Sequence, residues 1–226
     1  GDAVSGSVDG LRDRVVGATT SLFSHGPQPL EHTLDHAPDP GLLGPDSVSW
    51  RVIGDAAAFV GGIRGLLVQT AHPEVAAGVG DHSVYRDDPL GRLTRTSFYV
   101  TETTFGAMPE VERAVQIVRA AHRVVRGTSE RGRPYSAADP ALAAWVHNTL
   151  TDSFLTAYQH YGPAPLSDAD ADRFVEEQTR IGALRWALGS SPSWHVSLIR
   201  AGAPVPDGLF RQPLSDEARA LVEARG

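Results

Sequence analysis

The sequence predicts an all-α fold, a single globular helical domain. Three observations carry that expectation. Long segments repeat apolar residues at helical spacing between clear start and stop signals. No segment alternates apolar and polar residues as a half-buried strand does. Of the 226 residues 41% are apolar, enough for a core in a chain of this length.

Taken in chain order, residues 1–24 carry a weak helical period through Leu11, Val15 and Leu22. Residues 25–49 are rich in Pro, Gly, Asp and His and read as a loop. An apolar pattern runs from Ala56 to Gly78 and breaks near Pro73. Its glycines at 61, 62 and 65 weaken a helix but permit close helix packing. Residues 81–92 are polar and read as a loop, followed by a short helix from Leu93 to Phe105. Pro109 and Gly127 bracket the next helix, whose stripe is Val111, Val115, Val118, His122 and Val125. Gly127–Ser136 is turn-rich, and Asp139-Pro140 makes an N-cap and first-turn pair. The helix over 140–161 is apolar on most sides, which marks a central helix. Ser167 with Asp170 opens a helix over 167–182. Residues 189–213 read as irregular and 214–224 as a short terminal helix.

Composition excludes whole classes of chemistry. There is no cysteine, so no disulfide, thiolate metal site or thiol nucleophile. There is no lysine, because all 20 cationic side chains are arginine. A Schiff-base or P-loop lysine is therefore absent. The net charge of −7 argues against a nucleic-acid partner. No apolar run reaches the roughly 20 residues of a bilayer span. Gly1–Gly10 lacks a signal-peptide pattern, so the expected location is cytoplasmic. The arginine-only, Ala/Gly/Val-rich usage points to a high-GC, bacterial genome.

His147 stands inside the central helix on one line with Leu150, Phe154 and Tyr158. A buried imidazole needs a hydrogen bond or a metal. One reading is a satisfied core histidine. The other is an axial ligand to haem iron, with Trp145, Phe154 and Tyr158 as walls and arginines for the two carboxylates. Arg119 and His122 are neighbours on the preceding helix, with Arg113 earlier on it. Arg92 and Arg95, three apart, can grip carboxylates in bidentate fashion. His72, His82, His122 and His147 could also form a zinc site, although their separations specify nothing. His-Glu-x-x-His, Gly-x-Ser-x-Gly and Gly-x-Gly-x-x-Gly are all absent.

A series of phrases is more specific. It comprises Gly44-Pro45-Asp46-Ser47 with Trp50-Arg51, Gln69-Thr70-Ala71-His72-Pro73, His82-Ser83, Asp88-Pro89, and Gly91-Arg92-Leu93 with Arg95-Thr96. It continues with Arg119-x-x-His122, Pro134-Tyr135-Ser136, Trp145-Val146-His147, Asp152-Ser153 and Ala157-Tyr158. This series, over residues 42–180, resembles the MpaB/latex-clearing-protein (rubber oxygenase) family.

The resemblance implies an all-helical core with a haem b slot between its central helices. His147 would be the proximal iron ligand and the metal site. Phe154 and Tyr158 would be cofactor contacts. Arg113, Arg119 and His122 would line the pocket, and Arg92 and Arg95 would sit on the loop–helix that closes it. Glu102 is the nearest candidate for the glutamate that relatives use as a pocket base. Dioxygen and a small apolar, isoprenoid-type substrate are the implied partners. Some relatives can place a lysine on the distal iron position, which this chain cannot do. Past Arg180 the phrases stop, as though a segment were shortened. The expected organisation is an N-terminal extension over 1–41, the oxygenase-like core over 42–182, and a C-terminal segment over 183–226. Two other readings are a non-catalytic haem- or apolar-ligand-binding protein of the same fold and a metal-dependent hydrolase.

Overall fold

The computed structural model describes residues 29–82 and 89–187. The helices expected within 1–24 and 214–224, and the irregular stretch 189–213, lie outside the described residues. The architecture is all-α, with seven helices and one small hairpin among the described residues.

The first helix, α1 (Val48–Ile53), falls where the sequence reads as loop and runs on past it. Ser47 caps it, accepting from the Trp50 amide at 3.2 Å. Its remaining free amides are met from far away. Buried Glu177 accepts from the Val48 amide at 3.2 Å and the Ser49 amide at 2.8 Å. A 3₁₀ turn (Thr33–His36) precedes it. This segment is fastened by buried Glu110, which accepts from the His32 amide and the Thr33 hydroxyl.

The apolar pattern over 56–78 divides into α2 (Ala57–Gln69) and α3 (Pro73–His82). Proline at the first position of α3 sets the break, because its missing N–H costs nothing there. The helix α4 (Pro89–Phe105) starts four residues before the expected Leu93, again on a proline. The expected loop over 81–92 is thus narrower, and its residues 83–88 lie outside the described residues. The next helix is α5 (Met108–Val124). Its buried stripe runs through Val111 and Val115, while Ile117 and Val124 face outward.

The turn-rich stretch contains an unexpected hairpin, β1 (Arg126–Thr128) against β2 (Pro134–Ser136), antiparallel, with Gly127 opposite Tyr135. A side chain at Gly127 would meet the Tyr135 hydroxyl at 2.6 Å, so glycine is needed there. Tyr135 is buried and donates to Asp81 Oδ2 at 2.5 Å, tying the hairpin to α3. Burial, then the Asp81 hydrogen bond and charge, push its phenol up to about 12.

The central helix α6 (Pro140–Tyr161) matches its expected bounds. Asp139 caps it through the Ala141 and Leu142 amides. The last helix, α7 (Asp168–Ala187), runs five residues past its expected end. Gly182 does not terminate it, a tolerated cost of about 1 kcal/mol in a helix interior. The turn between α6 and α7 is clamped by Gln159, whose side-chain amide bonds both the N–H and the carbonyl of Leu166.

The largest helix pair is α2 against α6. A side chain at Gly61 would meet the Phe154 backbone at 2.9 Å, and one at Gly65 would meet the Leu150 side chain at 2.8 Å. Small residues let the axes approach. Arg64 bridges the same pair, donating at 2.6 Å to both Asp152 and Ser153. The outer face of α2 leaves Phe59, Val60, Ile63 and Leu67 exposed. The core lies between α1, α6 and α7, around Val52, Phe154, Leu155, Tyr158 and Phe174.

Candidate functional site

The site is built around the N-terminal half of α6. Trp145 is buried, and its indole N–H donates to the Gln69 carbonyl at 3.2 Å. Gln69, the last residue of α2, is also buried. Its side-chain oxygen lies 3.4 Å from Arg92 Nη2 on α4. Arg92, Gln69 and Trp145 thus form one polar chain at the end of α2. Gln69 was not singled out from the sequence as a site residue, although it opens the Gln69–Pro73 phrase.

His147 is half-buried, two residues further along α6. Its Nε2 lies 2.9 Å from the Gln178 carbonyl on α7. A carbonyl only accepts, so in this contact the ring carries its proton on Nε2. Gly182 lies against the same edge of the ring, where a Cβ would stand 3.5 Å from Nε2. No sequence pattern could point to a backbone carbonyl as the partner.

Phe154 and Tyr158 lie further along α6 and pack into the core cluster with Val48, Val52 and Phe174. Glu102, on the last turn of α4, is fully buried. Arg113 Nη2 donates to its Oε1 at 2.8 Å. Its Oε2 has no hydrogen-bond partner among the described residues. Burial raises the carboxyl above the usual range; Arg113 opposes the shift and Glu110 adds to it. Glu102 and Arg113, both expected at the pocket, are therefore in direct contact. Arg119 and His122 lie further along α5 and are partly buried, while Arg95 is exposed on α4.

A second polar cluster stands beside Trp145. The His72 ring lies 5.7 Å from the indole. Glu74 Oε2 is 3.3 Å from His72 Nδ1, without hydrogen-bond geometry. Ser129 donates to Glu74 Oε1 at 3.3 Å. His82, by contrast, is exposed and reaches the Arg126 carbonyl at 3.1 Å. Among the described residues no three His, Asp or Glu side chains gather as a metal site.

Burial lowers the His72 pKa below its ordinary 6.5, and Arg131 adds to this; Glu74 and Asp139 oppose it. The unfolded chain therefore takes up the proton first as pH falls. The stability from a neutral His72 is present above the unfolded value and is lost as pH falls through the folded one. The urea midpoint of the native chain should drop between about pH 7 and pH 5 more steeply than that of His72→Gln. Equal slopes would remove His72 as the cause.

No helix among the described residues is long and apolar enough to cross a membrane. Neither a curated protein nor a solved structure matches the chain. The family described as "ER-bound oxygenase mpaB/B'/Rubber oxygenase, catalytic domain" matches residues 50–195. That span takes in α2 to α7 and continues past Arg180, where the motif phrases end. Because the match covers well over half of the chain, the protein belongs to the mpaB/rubber oxygenase family and carries its oxygenase-type catalytic domain.

Proposed function

We propose that this oxygenase domain uses haem b, with dioxygen, on a small apolar substrate of isoprenoid type, and that His147 is the iron ligand. The observation that carries the reading is an imidazole on the central helix of a domain in this family. The donor chemistry suits the group: one histidine for the iron and guanidinium groups on α4 for its carboxylates. The same side chains have internal partners: His147 has Gln178, Arg92 has Gln69 and Arg113 has Glu102. Binding therefore exchanges those contacts.

Bound haem would supply dioxygen binding and redox chemistry. The chain's own residues supply the rest of the proposal. Arg92 and Arg95 would hold the carboxylates. Arg113, Arg119 and His122 would be polar groups of the pocket. Glu102, with its pKa raised by burial, would hold or release a proton at Oε2. Phe154 and Tyr158 would give the site its apolar back.

The test is an absorption spectrum of the haem-reconstituted full chain. A Soret band that is lost or shifted in His147→Ala, with helical content retained, is the expected result. An unchanged band in that variant would overturn the ligand assignment. Dioxygen uptake with a panel of unsaturated isoprenoids reports turnover. A haem-loaded protein without uptake would favour the reading in which the fold binds its ligand without reaction. The internal partners of Arg92, Arg113 and His147 are the observation on that side.

A further inference from the structure

Helix α7 has a fixed part and a soft part. At the fixed part, Glu177 accepts from the first amides of α1, and at its edge Gln178 Nε2 donates to Ser49 Oγ at 3.0 Å. Both side chains are buried. One turn later comes Gly182, buried and lacking the Cβ that would stiffen the helix. Between these points the Gln178 carbonyl holds His147 Nε2. The helix thus covers the imidazole tip with a backbone acceptor, immediately before its weakest residue.

We propose that α7 competes with the cofactor for His147, so that loading displaces the part of α7 from Gln178 onward away from α6. This rests on the reading of His147 as the iron ligand. A neutral imidazole has one N–H and one lone pair. The Gln178 carbonyl requires the N–H at Nε2, whereas ligation there requires the lone pair. Loading therefore moves the proton from Nε2 to Nδ1, with no net uptake or release. The tie at Glu177 keeps the start of α7 on α1 throughout, while the Gln178–Ser49 bond restrains the turn that must move.

The experiment follows haem uptake by the full chain in stopped flow, with amide hydrogen exchange before and after loading. Two variants loosen the cover. Gly182→Leu wedges a side chain against the His147 ring, and Ser49→Ala cuts the Gln178 tie from a site that does not touch His147. Each should speed uptake by roughly two- to tenfold, the factor that one net hydrogen bond is worth. Exchange over 179–187 should rise on loading, while 140–160 stays protected. In ¹⁵N spectra the His147 proton should sit on Nε2 before loading and on Nδ1 after it. Uptake that needs His147 but leaves 179–187 as protected as before, with both variants at the native rate, would overturn the competition and spare the ligand reading. Uptake that survives His147→Ala would overturn both.

Discussion

Gly61→Ala should destabilise the fold by about 1–3 kcal/mol, the cost of overpacking a tight core. Helix propensity alone points the other way, since alanine outranks glycine by about 1 kcal/mol in a helix interior. The geometry decides the sign. A Cβ at residue 61 would stand 2.9 Å from Phe154 Cα and 3.0 Å from the Ser153 carbonyl oxygen. Both are backbone atoms of α6, so relief requires the two helices to part. Gly62→Ala is the matched control. Its Cβ would meet nothing nearer than Phe154 Cε1 at 4.0 Å. That variant should be neutral or more stable by up to about 1 kcal/mol. Urea unfolding of the pair measures both, and a Gly61→Ala midpoint at or above the native one would refute the close seam.

Glu177→Ala should cost about 3 kcal/mol or more, since two hydrogen bonds from backbone amides to a charged group are worth roughly 1.5–3 kcal/mol each. The carboxylate is buried, and the Val48 and Ser49 amides would lose their acceptor. Arg173, which lies 3.2 Å from Glu177 and is largely exposed, would simply turn to solvent. Glu177→Gln should recover part of the loss, because its side-chain oxygen can still accept from one amide. Thermal unfolding of the two variants separates the cap from mere side-chain volume. Equal losses would count against the capping role.

The parts of the fold that were legible in sequence are those whose signals are local. Asp139-Pro140 starts α6, and its cap is made by the next two residues. Pro73 and Pro109 mark first turns for the same reason. The helix α1 was not legible, because a six-residue segment is held by Glu177, some 129 positions away. The hairpin was missed because three-residue strands have no room for a period; Tyr135 and Asp81 hold it instead. Within the site, His147 and Arg92 were named by residue type, position and resemblance. Glu102 was named too, but its contact with Arg113 was not foreseen from spacing. Gln69 and Gln178 act partly through backbone carbonyls, which every residue has and no sequence distinguishes.

The α2–α6 seam also sets a timetable for the chain as it is made. Arg64 waits for Ser153, a partner 89 positions downstream. At synthesis rates of about 5–20 residues per second, α2 emerges roughly five to twenty seconds before the helix that covers its glycine face. Throughout that interval both sides of α2 are bare, the glycine side awaiting α6 and the opposite side carrying Ile63 and Leu67, which are exposed among the described residues. The nascent chain is thus most prone to stick to chaperones or to other chains before residue 153 has left the ribosome, and a stalled or truncated product ending short of α6 would inherit that exposure permanently.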